Sequence, residues 1–225
     1  MELAIDTSTD LASIALSHEG GTMTELTWHS GQNHTVELVP NIARLLAQTK
    51  VNPRSLGVIF LAKGPGSFNG LRVGMSTAKG LAFALNIPLV GISTLEVEAY
   101  PFAFTKLPLC PIHSASRGEI ATAIYQQNDD WRCLVKERIT TVDALCQQIE
   151  RETLFCGEIP LSVARQLQQR LGKRAIIPNL AARLRHASYL AALGWQRLSR
   201  GDKDNLASLQ PLYLRQPPIT QRKVR

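Results

Sequence analysis

Directly after the apolar run LGVIFLA, residues 56–62, the chain reads KGPGSFNGLRVG, placing four glycines and a proline within residues 63–74. No other stretch limits the fold as tightly, because an apolar run entering a glycine-rich turn and then a helical pattern is a strand–loop–helix unit. Such loops often cradle phosphate. A Walker-type loop must close on G-K-[ST], so that backbone N–H groups and a lysine converge on the phosphates; here Leu71 and Arg72 follow Gly70. The dinucleotide fingerprint G-x-G-x-x-G fails as well, since Gly64, Gly66 and Gly70 are spaced G-x-G-x-x-x-G. A generic anion site at the helix start stays open, because first-turn N–H groups and the helix dipole favour negative charge.

The helical pattern that follows suggests another use for glycine. At 100° per residue, Gly70, Val73, Gly74, Thr77, Ala78, Gly80, Leu81 and Ala84 share one broad side, and Arg72, Ser76 and Lys79 a narrow opposite strip. Each interior glycine costs a helix about 1 kcal/mol relative to alanine. The loss makes sense if another backbone approaches closely, within this chain or across an interface. The preceding helical pattern is also over-apolar. Leu38, Ile42 and Leu45 form one side, and Val36, Val39, Pro40, Ala43 and Ala47 extend it to an arc of about 220°, against the roughly 100° stripe of a surface helix. We expect a protein partner to cover this excess along Val36, Val39, Pro40, Ala43, Ala47, Gly70, Val73, Gly74, Thr77, Ala78 and Leu81. On that expectation Gly74→Leu weakens the pairing without unfolding the chain. Burial of both helices within one core is the competing reading. Pro40 should kink its helix.

Composition excludes several classes. The 225 residues hold no apolar run near the ~20 residues that span a bilayer, and the start MELAID has no signal-peptide core. We expect a cytoplasmic chain. Its four cysteines form no C-x-x-C pair and its five histidines no H-x-x-x-H pair, so reduced thiols are expected and no metal site. Charge is uneven: residues 1–100 carry a net −2 and residues 101–225 a net +9. The last eleven residues, RQPPITQRKVR, hold four bases and no acid, which can draw a tail toward phosphate backbones.

The order of elements fits a mixed sheet flanked by helices. Three short strands, ELAID, LASIALS and TMTELTW, form a meander, and helix and strand then alternate through PLVGI. After YPFAFTKLP a second set begins with strands near LCPIHS, EIATAIY and RCLVKERI. Helix TVDALCQQIE, strand LFC, helix LSVARQLQQRL, strand AIIP and helix HASYLAALGWQRL complete it. The two halves show roughly similar orders of elements without a sequence repeat.

AIDTS at 4–8, HTVELVP at 34–40, KGPGSFNGLRVG at 63–74, GISTLE at 91–96, RGEI at 117–120 and PLYLR at 211–215 together resemble the TsaB (YeaZ) family of tRNA threonylcarbamoyladenosine biosynthesis proteins. The resemblance runs from end to end and is thin between residues 121 and 205. It implies an α/β, two-lobed actin, sugar-kinase and Hsp70-like (ASKHA) fold with RNase H-like mixed sheets. Residues 1–100 would form the partner-binding lobe and 101–225 a smaller one; to which lobe the last helix returns is left open. It further implies a non-catalytic subunit that pairs with a TsaD-type paralogue and works with a TsaE-type ATPase. The paralogue would modify adenosine 37 of tRNAs reading codons that start with A. No cofactor would be held firmly, ATP or ADP would sit at the complex interface, and tRNA would be reached through the complex. A homodimer of the lone chain is the remaining scaffold reading.

Three places depart from the family pattern: Gln32 replaces a basic residue, Asn69 a threonine, and Ser114-Ala115-Ser116 an Asp-Ala-Arg run. The last change removes two charges from a loop expected near the cleft between lobes. A self-sufficient ATPase or kinase is the alternative. In an actin-like fold the turn after the first strand meets phosphate, and Asp6, Thr7 and Ser8 occupy that position as a candidate vestigial phosphate loop. The same residue types also build an Asx turn. No convincing second carboxylate accompanies Asp6, and His34 is expected to cap or pack.

Overall fold

The computed structural model describes residues 1–215, with Arg117 described through its backbone alone. The opening meander is β1 (Glu2–Asp6), β2 (Leu11–His18) and β3 (Gly21–His29). Then come α1 (His34–Gln48), β4 (Val58–Ala62), α2 (Phe68–Leu85) and β5 (Leu89–Ile92). The strands lie in the order β3-β2-β1-β4-β5, antiparallel through the meander and parallel from β1 to β5, so that Ile5 sits between Ile14 and Leu61. Every residue of β1 and β4 is buried because both sheet faces are covered. Leu3, Ile5 and Leu61 pack on Leu38, Ile42 and Met75 of α1 and α2, and Ala4 and Phe60 face a helix from the far end of the chain. Parallel strands buried on both sides need apolar residues at successive positions, hence the unbroken VIFLA.

The second half contains α3 (Thr94–Ala99), β6 (Leu109–Ser114), β7 (Ile120–Gln127), β8 (Trp131–Thr140) and α4 (Val142–Gln147). It continues with β9 (Thr153–Cys156), α5 (Leu161–Leu171), β10 (Ala175–Ile176) and α6 (Ala187–Ser199). Its sheet order, β10-β9-β6-β7-β8, is the first sheet's order read from the other edge. A three-strand meander followed by two parallel additions therefore occurs twice, and the fold is the two-lobed actin-like architecture with a mixed sheet in each lobe.

The lobes exchange their last helices. Although α3 follows the first sheet, its Leu95 and Ala99 pack on Leu109, Ala123 and Tyr125 of the second. Reciprocally, α6 follows the second sheet and lays Ala187, Leu190 and Ala191 on the first. Gly194 permits this close seat, since a Cβ there would overlap the Phe60 ring. Trp131 closes the crossing: it stacks on Tyr125 at 5.5 Å, meets Tyr100 edge-on at 5.3 Å, and donates Nε1–H to Glu96 at 3.0 Å. Beyond α6 the chain returns as a strap. Asp204 accepts the Gly91 N–H at 2.7 Å, the Leu212 N–H donates to the Lys63 carbonyl at 2.7 Å, and Arg215 donates to Glu119 at 2.5 Å on the second lobe. Among the described residues no helix is long and apolar enough to cross a membrane. The basic tail, residues 216–225, lies outside the described residues.

Candidate functional site

The glycine stretch wraps the turn that follows β1. The Ser67 N–H donates to the Ser8 carbonyl at 2.6 Å, and the Thr7 hydroxyl donates to the Gly70 carbonyl at 2.8 Å. A Cβ on Gly66 would overlap the Ser8 carbonyl, one on Gly70 the Thr7 carbonyl, and one on Gly74 the Thr7 hydroxyl. Glycine here lets the chain's own backbone approach. This corrects part of the expected partner seam: Gly70, Gly74 and Ala78 are buried within the chain, and Ala78 belongs to the first lobe's core. The expectation that Gly74→Leu leaves the fold intact is overturned, because no space exists for a side chain there. Gly80 differs, with nothing within 4 Å of a Cβ.

The excess on α1 is uncovered. Leu38, Ile42 and Leu45 are buried, whereas Val36 and Val39 are 69% and 57% exposed and Pro40, Ala43 and Ala47 lie on the surface. Along α1 and α2 runs an open groove of about 610 Å³, walled by Val39, Ala43, Ala47, Thr77, Gly80 and Leu81. Val73, Thr77 and Leu81 of α2 are half-buried. The structure thus divides the expected residues between a groove that faces outward and an inner side that is sealed. The helix runs unbroken past Pro40. His34 is buried and packs, its Nε2 2.9 Å from the Thr9 carbonyl.

The second concave region lies between the lobes. Asp6, Thr7 and Ser8 are fully buried, and Asp6 Oδ1 accepts from both the Ser8 N–H at 2.9 Å and the Ser8 hydroxyl at 2.5 Å, forming an Asx turn. Asp6 Oδ2 lies 2.6 Å from Arg185 Nε. Arg185, in the loop entering α6, also donates to Glu98 of α3 at 3.1 Å, to Thr9 at 2.6 Å and to the Leu11 carbonyl at 3.0 Å. Glu158, after β9, accepts from Thr9 at 2.6 Å and from Arg185 at 3.4 Å. Opposite, His113 Nε2 is 2.7 Å from Glu98 Oε1. Burial alone would weaken the proton affinity of Arg185, but Asp6, Glu98 and Glu158 reverse this and raise it. For His113, burial pulls downward, and the charge and hydrogen bond of Glu98 outweigh it, so the imidazole is raised above 6.5.

The Asp6–Ser8 turn is therefore spent on internal bonds. Around the cluster lie a cavity of about 220 Å³ lined by Thr9, Asp10, Ser67, His113, Ser114 and Glu158, another of about 240 Å³ under the C-terminal strap, and one of about 330 Å³ lined by Leu11, Glu158, Arg183 and Arg185. Ser114, Ala115 and Ser116 line the cavity under the strap, at the cleft where their loop is expected, and Ser116 accepts a bond from Arg215 at 2.8 Å. Sequence reasoning did not find Arg185, Glu98, His113 or Glu158. The one signal was Glu98 itself, an acid on the buried side of the apolar TLEVEA.

Comparison with known proteins places these features in a family. A family model described as "TsaD: tRNA N6-adenosine threonylcarbamoyltransferase" matches residues 11–220. The tRNA threonylcarbamoyladenosine biosynthesis protein TsaB of Bacillus subtilis is 31% identical, with 95% of this chain and 93% of that protein aligned. This chain belongs to the TsaB (YeaZ) family. The Escherichia coli TsaB is 26% identical over 95% of this chain and 94% of its own length. The solved structure of YeaZ from Pseudomonas aeruginosa superposes with a TM-score of 0.79 at 26% identity, covering 95% of this chain and 99% of that one. Membership thus extends across both lobes, including the stretch from residue 121 to 205 where the quoted motifs are thin.

Proposed function

We propose that this chain is a non-catalytic subunit of the machinery that forms N6-threonylcarbamoyladenosine at position 37 of tRNAs reading codons that start with A. It pairs through α1 and the outward side of α2 with a TsaD-type paralogue, the subunit that performs the transfer, in company with a TsaE-type ATPase. It holds no cofactor firmly, with ATP or ADP at the complex interface, reaches tRNA through the complex, and works in the cytoplasm. The single observation that carries this reading is the α1–α2 groove, where aliphatic and small side chains stay exposed beside a fully formed core. Leaving aliphatic side chains such as Val36 and Val39 largely in water is unfavourable by about 1 kcal/mol each, which covering by a partner recovers. The occupied turn at Asp6 supports the lack of catalysis, since its carboxylate is committed to Arg185 and Ser8.

Co-expression with a TsaD-type protein tests the proposal. The expected outcome is a stable heterodimer that transfers threonylcarbamoyl to tRNA, while the isolated chain transfers none; transfer by the isolated chain, or no complex, overturns it. A self-sufficient ATPase or kinase is the second reading, for which ATP turnover by the lone chain would have to vanish in Asp6→Ala. If instead the groove pairs two copies of this chain, the lone protein sediments as a dimer that the TsaD-type protein fails to dissociate.

A further inference from the structure

We propose that Arg185 is a bolt between the lobes, fixing the cleft in one posture so that the chain works as a single rigid body. A hinge between two lobes needs a joint whose contacts can be broken singly or through water. The centre of the joint here is buried and only Glu158 at its rim meets solvent, with Arg185 Nε on Asp6 at 2.6 Å, one terminal nitrogen on Thr9 and the Leu11 carbonyl, and the other on Glu98 and Glu158. Asp6, Thr9 and Leu11 belong to the first sheet and its turn; Glu98 rides on α3, which packs against the second sheet, and Glu158 follows β9. The side chains of Arg185, Asp6 and Glu98 are each 2% exposed or less. Opening the cleft would pull one fork of the guanidinium from its partners and strand buried charges without water to receive them. Thr9 adds a direct crossing to Glu158 at 2.6 Å, and His113 meets Oε1 of Glu98, the same oxygen that Arg185 holds, at 2.7 Å.

Position follows from the exchanged helices. Because α3 and α6 each pack on the other lobe's sheet, residues 98 and 185 meet at the crossing, where one planar, five-donor cation can reach both sides at once. A lysine keeps the charge but offers a single point donor, so it cannot span the same partners. The inference goes beyond the subunit role proposed above and holds whether or not the groove binds a partner.

Spin labels at Thr22→Cys on β3 and Gln169→Cys on α5, with Cys133 and Cys146 replaced by serine, report the distance between lobes by pulsed electron resonance. The chain with Arg185 should give one narrow distance, and Arg185→Lys a broadened or split distribution with an unchanged circular dichroism spectrum. A broad distribution with Arg185 present, or the same narrow peak in a folded Arg185→Lys variant, overturns the proposal. Should the lysine variant not fold, native-state hydrogen exchange on the unaltered chain decides. Amides of residues 8–9 and 157–159 should then lose protection together under mild denaturant, and separate openings would overturn the bolt.

Discussion

Gly70 and Gly80 occupy the same helix but stand in opposite surroundings. Alanine at Gly70 would force a methyl into the Thr7 carbonyl, and overpacking of this kind costs about 1–3 kcal/mol, more than the helical gain from losing glycine. At Gly80 the space is open, so alanine should stabilise by about 0.5–1 kcal/mol. Urea denaturation of both variants checks the pair, and a stabilised Gly70→Ala would contradict the close approach. His113 gives a second prediction. Its folded imidazole holds the proton more firmly than an unfolded one, against the pull of burial, because Glu98 faces it. A raised folded value contributes stability in full below the unfolded value and loses it as pH rises through the folded one. The melting-temperature advantage of the unaltered chain over His113→Gln should therefore be larger at about pH 6 than at about pH 9. A difference that is flat or grows with pH would disprove the assignment. At this scale the sequence pointed to a close approach at the helix glycines 70, 74 and 80, which holds at Gly70 and Gly74 and not at Gly80. It did not show what approaches, since the turn at Thr7 and Ser8 lies some sixty residues earlier.

The helices α1 and α2 show how far periodicity reaches. The 220° arc read from the α1 pattern corresponds to a helix with one buried side and a second, uncovered one, as the exposure of Val36, Val39, Ala43 and Ala47 shows. On α2 the same reasoning merged two surfaces. A helical wheel records which residues share a side, not whether that side meets the sheet or the solvent, and only the seat of the Thr7 turn against Gly70 and Gly74 separates them. The partner-binding prediction therefore belongs to the groove. Val39→Asp and Ala43→Arg should each weaken pairing with a TsaD-type protein by more than about tenfold, as central interface substitutions do. Both should leave the melting temperature of the lone chain unchanged, because the replaced side chains are exposed. Isothermal titration alongside thermal melting checks this, and undiminished affinity would move the interface elsewhere.

For the whole molecule, the strap after α6 is part of the first lobe's core. Leu209 is buried with Leu3 and Leu89, and Asp204 accepts the buried Gly91 N–H at the edge of β5. Asp204→Ala leaves that donor unpaired and should cost about 1–3 kcal/mol in chemical denaturation. Asp204→Asn, which keeps an acceptor, should cost less; equal losses would point to charge rather than the hydrogen bond. The double topology follows the similar order of elements in the two halves. The exchange of α3 and α6 could not be read the same way, because an apolar helix stripe fits either sheet.

The sequence by itself determined the local order: which segments are strands or helices, apart from the short α3, and that α1 carries more apolar surface than one side can bury. Those properties depend on neighbours three or four residues away, or on the alternation along a strand, and need no knowledge of distant chain. Only the tertiary structure decided that Asp6, Glu98, His113 and Arg185 form one buried cluster with Glu158 at its rim, and that Gly70, Gly74 and Ala78 of α2 face inward. Such contacts join residues up to 179 positions apart, and their pairing is set by which faces the folded lobes bring out of water together.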